Sequence, residues 1–140
     1  MKKIIFVAII LGILLLSKPL ALLAQESTGG GGEVKVSEKS LAIMPCIYLK
    51  KNIVTEGTYL DSSSSILDDW FHDKDTRFSS KDYLNFRTNL IFQYFIKQDK
   101  AEIIPALKAG DKIIISGFVT SCADKRPWIE VDSVVKVPSE

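Results

Sequence analysis

The chain has 140 residues, 46% of them hydrophobic, with 18 Lys and Arg against 17 Asp and Glu and a single His. The first 24 residues read as a targeting segment, and what remains is enough for one domain of about a hundred residues and too little for a second core. Lys2, Lys3 and Lys18 belong to the targeting segment, so the remainder carries 15 basic against 17 acidic side chains, a balance that argues against strong nonspecific nucleic-acid binding.

Met1, Lys2 and Lys3 form a short basic start, followed by an apolar run over residues 4–16 and then Ser17, Lys18 and Pro19 before residues 20–24. This is the layout of a secretory signal peptide ending at Ala24. The competing reading joins residues 4–24 into one span of 21 residues, interrupted by Lys18 and Pro19, that stays as an N-terminal membrane anchor. Export to the periplasm or the exterior is therefore expected, with attachment to the inner membrane as the alternative. No Cys lies near the cleavage region, so a lipid-modified amino terminus is not supported. Residues 25–36 contain four consecutive glycines, 29–32, and read as a flexible linker. A phosphate-cradling loop would need a strand before the glycines and a helix start after them, and neither pattern is present.

The domain is expected over residues 37–140. Residues 37–49 are apolar but interrupted by Pro45, which excludes one regular helix across them. Residues 52–61 form a strand candidate with Gly57 at its centre, where a bulge or bend is expected. Residues 62–80 are an irregular loop, rich in Ser and Asp, with Trp70, Phe71 and Phe78 embedded; a loop of that length in a small domain tends to be functional or mobile. Residues 82–97 read as one or two strands, with Leu90, Phe92, Tyr94 and Ile96 on one face and Ile91, Gln93 and Phe95 on the other. Residues 99–109 suggest a short helical turn with Pro105 near its start, stopped near Gly110. Residues 110–137 complete the chain as a hairpin: Ile113, Ile114 and Ile115 lead through Gly117 to Val119, residues 123–127 turn, and Trp128 begins the return.

This order, with IVTEGTYLD as first strand, LKAGDKIIISGFV as short helix and fourth strand, and PWIEVDSVVKV as fifth, resembles the OB-fold. Within that fold it resembles small exported bacterial domains of the tRNA-anticodon-binding type. The resemblance covers roughly residues 50–137 and implies a mainly β, five-stranded Greek-key barrel with one short helix. It also implies binding of oligonucleotides, oligosaccharides or proteins on the face of strands two and three, and it brings no catalytic residues.

Cys46 and Cys122 are the only cysteines. In an exported protein an even count favours one disulfide, with two separately buried thiols as the alternative. Asp68, Asp69, Asp73 and Asp75 surround His72, but Lys74 and Arg77 interrupt them and no glycine shapes a cation loop, so a solvated acidic loop is expected and no metal site. One histidine gives no catalytic constellation, so neither enzymatic activity nor a cofactor is expected.

Aromatic residues carry the binding expectation. Tyr83, Arg87 and Tyr94 are the candidates for exposed ligand contacts, with Lys125 and Arg126 (and Lys50 and Lys51) as a basic rim, while Phe86, Phe92 and Phe95 are expected in the core. The expected function is an exported, non-enzymatic binding module for a protein or polymer. A membrane-anchored structural component of the envelope is the second reading and a single-strand nucleic-acid binder the third. Contact with the membrane is expected only through the N-terminal segment.

Overall fold

β-Branched and aromatic residues at alternating positions generate most of the regular structure. The chain divides into two units between Gly30 and Gly31, and the computed structural model describes residues 31–63 and 77–139, all in the second unit. Its strands are β1 (Val34–Lys35), β2 (Asn52–Ser63), β3 (Tyr83–Thr88), β4 (Tyr94–Lys97), β5 (Lys112–Ser121) and β6 (Trp128–Lys136). They are ordered β1-β2-β3-β4-β6-β5, and β5 pairs back onto β2. Strands β2 to β6 thus close a five-stranded barrel, leaving β1 as a parallel edge on β2. The pairing of β4 with β6 is parallel and the other barrel pairings are antiparallel. The architecture is mainly β and OB-like, as the sequence suggests.

Alternation along β5 sends Ile113, Ile115 and Val119 inward, where they meet Ile53, Phe86, Tyr94, Ile96, Ile129 and Val131. Gly117 sits where the β5–β6 register shifts. A Cβ there would stand 2.5 Å from the Glu130 carbonyl oxygen, so the bulge requires a residue without one. Gly57 has a different task from the one expected of it. The register shift of β2 lies between Tyr59 and Asp61; at Gly57 the backbone is approached by Glu38, whose Oε1 would be 2.8 Å from an added Cβ.

Three expectations are corrected. The linker predicted over residues 25–36 ends sooner, because Val34 and Lys35 pair with β2, the Val36 amide donates to the Val54 carbonyl at 3.0 Å, and Val36 is buried in the core. The short helix lies ahead of the barrel: α1 (Glu38–Ile43) begins at Ser37, whose Oγ accepts from the Ser40 amide, a standard N-cap. Pro45 then turns the chain into a 3-10 segment, Pro45–Tyr48, whereas residues 99–109 hold only the single turns Gln98–Lys100 and Ile104–Ala106. Pro105 supplies no amide to an α-helical ladder there, and Leu107 is already extended. Finally, residues 82–97 are two strands, as expected, but the single face predicted for Leu90, Phe92, Tyr94 and Ile96 is broken by a turn between the strands. Thr88 makes that turn by donating its amide to the Ile91 carbonyl and accepting the Ile91 amide at Oγ1, which puts Leu90 and Phe92 outside the barrel.

Cys46 and Cys122 are bonded, with their Cα atoms 5.2 Å apart and a sequence separation of 76. In the chain-entropy description a loop of that length is worth about 4.5 kcal/mol. The bond fastens the segment after α1 to the β5–β6 corner.

Candidate binding surface

In a barrel of this type ligand contacts come from the face of strands two and three, here β3 and β4, and β6 continues that face through its pairing with β4. Tyr83, Asn85 and Arg87 point outward from β3, Phe95 and Lys97 from β4, and Trp128 and Glu130 from β6, alternating with the inward residues of the core cluster. Much of this face is already covered. Phe78 stacks on Phe95 with ring centroids 4.1 Å apart and planes 8° apart, and Phe95 lies 5.8 Å from Trp128. Tyr83 meets the edge of Phe78 at 5.1 Å. Phe78, Phe95 and Trp128 are all buried, so they make a second, smaller core on the outside of the barrel. Asn85 fills the space beside it by donating to the Phe92 and Tyr94 carbonyls at 2.9 Å each.

The five predicted contact residues therefore fare differently. Tyr94 is not on the surface: it points into the barrel, is fully buried, and donates its hydroxyl to Glu38 Oε1 at 3.0 Å. The turn after β3 shifts the alternation so that position 94, in register with Phe86 and Ile129, faces the core. Tyr83 keeps a partly exposed edge and donates its hydroxyl to Glu130 Oε1 at 2.8 Å. Burial, then that carboxylate, push its pKa up to about 12. Arg87 is half-exposed and held by Asp61, its Nε donating to Oδ1 at 2.6 Å and its second nitrogen to Oδ2. The guanidinium keeps the Asp61 carboxyl below the usual carboxylate range. Lys125 and Arg126 are exposed at the Ala123–Lys125 turn and its end, on a different element from Tyr83 and Arg87.

Phe92, expected in the core, is 42% exposed, and the Arg87 guanidinium lies 5.5 Å from its ring centroid. Asp61, Arg87 and Phe92 thus form a small fixed cluster beside the aromatic cover, and Leu90 is exposed on the same turn as Phe92. Sequence alternation could not reveal it, because it depends on where the turn between β3 and β4 falls. At the other end of β3 an open basin of about 530 Å³ is lined by Arg77, Lys81, Asp82, Tyr83, Lys97 and Asp99, among others.

Three buried polar side chains meet at the barrel end. Glu38 accepts from the hydroxyls of Thr88 and Tyr94. Burial raises its pKa, against the pull of those two hydrogen bonds and of Lys112. Burial and the same carboxylate hold Tyr94 well above the ordinary tyrosine value. Among the described residues no group of three or more His, Cys, Asp or Glu side chains is placed to hold a metal ion. His72 and the acidic run around it lie outside the described residues.

No protein-family profile matches the chain, and no curated protein matches it by sequence. Among solved structures, it is similar to a chain from Leishmania major Friedlin assigned as an aspartyl-tRNA synthetase, with a TM-score of 0.48 and 9% identity over 83% of this chain. This chain spans 23% of the length of that protein.

Proposed function

We propose that the chain is an exported, non-enzymatic binding module, free or tethered outside the inner membrane. It grips a protein or polymer segment at the margin of the barrel face where Arg87, Phe92 and Leu90 are exposed. The observation that carries this reading is the fixed Arg87–Phe92 pair. An arginine already oriented by Asp61 and an aromatic ring already oriented by that arginine lose little freedom on binding, and Arg and aromatic residues are those most often found to dominate interface energetics. The aromatic face next to the pair is filled by Phe78, so the ligand contacts the margin and does not stack across the face as a single strand of bases would.

The test is comparative capture from native envelope extract with wild-type chain and with Phe92→Ala and Leu90→Asp variants, read by quantitative mass spectrometry. A discrete species retained by the wild type and depleted at least about fivefold by either variant is the expected result, in line with a hot-spot contact. Identical capture profiles for all three would sink the assignment of this margin. The nucleic-acid reading is separated by salt-dependent anisotropy with single-stranded oligonucleotides. Binding that weakens on Arg87→Ala and Lys125→Ala and shows a reduced salt slope would replace the proposal with that one.

A further inference from the structure

The exposed apolar surface of the described domain is unevenly spread. Ile43, Met44, Ile47 and Leu49 are exposed by 65, 50, 53 and 37%, and they make up half of the exposed large hydrophobic residues while falling within seven consecutive positions. They ride on the outer side of α1 and the 3-10 segment after it, whose inner side buries Leu41 and Pro45. The disulfide at Cys46 and the Lys50 amide, which donates to the Val119 carbonyl at 2.8 Å, fasten this stretch to the barrel. It is therefore a fixed surface. Contiguous apolar side chains on such a surface mark an interaction site more often than scattered ones do.

Charge indicates what kind of partner covers it. Residues 39–51 contain Lys39, Lys50 and Lys51 and no acidic residue, whereas the rest of residues 25–140 carries 12 basic against 17 acidic side chains. Four exposed large apolar groups flanked in sequence by Lys39, Lys50 and Lys51, on a domain that is otherwise acidic, match the composition of a surface that lies in the boundary region of an anionic bilayer. Two copies of this chain meeting through the patch would bring their lysines together.

Gly31, where the described chain begins, lies next to the patch. Asn52 Nδ2 donates to the Gly31 carbonyl at 3.4 Å, and Asn52 follows directly on Lys50 and Lys51. The N-terminal chain thus leaves the domain beside the patch. Six residues, 25–30, separate Gly31 from the apolar run 4–24, a fully extended reach of about 20 Å.

We propose that the outer surface of residues 39–51 is a membrane-contact face. Ile43, Met44 and Ile47 enter the headgroup and acyl boundary of an anionic leaflet, and Lys39, Lys50 and Lys51 lie among its headgroups. The proposal rests on residues 4–24 staying in the bilayer, and it is independent of the ligand margin at Phe92, which is on other elements.

The experiment uses the full chain, with residues 1–24 verified by intact mass, in vesicles of zwitterionic lipid and of the same lipid with about a third anionic lipid. A photoreactive amino acid replaces Ile47 or, as control, Val135, which is exposed near the other end of the barrel. Expected are lipid adducts at position 47 about tenfold above those at position 135 in anionic vesicles, falling when Lys50→Glu and Lys51→Glu are introduced together. Thermal unfolding checks that the charge reversal leaves the fold intact. Equal lipid labelling at 47 and 135 overturns the proposal. So do adducts at 47 to a second copy of the chain in place of lipid, and lipid labelling that does not respond to anionic lipid or to charge reversal. The ligand reading is tested through Phe92 and Leu90, which this experiment leaves unchanged, so either can fail without the other.

Discussion

Ile113, Ile114 and Ile115 in β5 and Tyr94, Phe95 and Ile96 in β4 are both uninterrupted apolar triplets, yet they sit in different surroundings. In β5 the outer member, Ile114, is 38% exposed, and only its neighbours are in the core. In β4 all three are fully buried, because the outer member, Phe95, is covered by Phe78 and flanked by Trp128. A strand of a closed barrel needs one dry face, and a second dry face requires a covering element from elsewhere in the chain. The outer aromatic cluster is thus a packed structure in its own right. The proposed ligand margin at Arg87, Phe92 and Leu90 lies beside this covered face and not on it.

The largest test of that difference is to truncate each outer residue. Phe95→Ala should lower unfolding free energy by about 3–5 kcal/mol, the range for buried phenylalanines. Ile114→Ala should cost under about 1 kcal/mol, because much of its side chain is already in water. Urea denaturation of both variants beside the wild type measures this. Similar costs for the two would mean that Phe78 does not seal the outer face.

What the sequence reveals and conceals follows the same division. The glycine-centred strands, the hairpin from β5 to β6, the barrel class and the Cys46–Cys122 pairing were legible, because they rest on local composition, turn chemistry and a count of two cysteines. The inward direction of Tyr94 and the exposure of Phe92 were not, because both depend on the turn that Thr88 closes with Ile91. A shift of one residue in a strand moves every side chain to the opposite face. The partnership of Phe78 with Phe95 was hidden for a further reason. Phe78 follows a long irregular segment, and no periodicity within β4 indicates what packs on its outer side.

A smaller effect probes the polar edge of the outer cluster. Tyr83→Phe keeps the ring against Phe78 and removes only the hydroxyl that donates to Glu130. Because Glu130 stays partly exposed and can be hydrated, the expected loss is about 1 kcal/mol. The same variant should remove a tyrosine titration near pH 12 from the spectrophotometric curve. The raised value makes this group's contribution complete below the ordinary tyrosine pKa and lost as pH rises through about 12. A curve unchanged by the substitution would show that the Tyr83 hydroxyl is not held as described.

The subtlest effect belongs to the inner side and is read as a slope against pH. Glu38 sits at the barrel end with its carboxyl turned inward to Thr88 and Tyr94, and burial raises its pKa above the ordinary 4.5. The folded domain therefore binds this proton more readily than the unfolded chain does. Its contribution is complete below about 4.5 and is lost as pH rises through the raised value. Asp61 and Asp111 act with the opposite sign. Arg87 lowers the first, and the Lys108 amide and the Lys136 ammonium lower the second, so what they contribute is present at neutral pH and lost on acidification below their ordinary value of 3.8. Glu38→Gln keeps a side-chain oxygen that accepts from both hydroxyls but cannot ionise. The variant should therefore lose the decline in stability above about pH 4.5 while retaining the acid limb. Urea midpoints taken from acid to neutral pH distinguish the two limbs. A Gln variant that declines above pH 4.5 as steeply as the wild type would mean that Glu38 is not the group that couples α1 and the barrel end to pH.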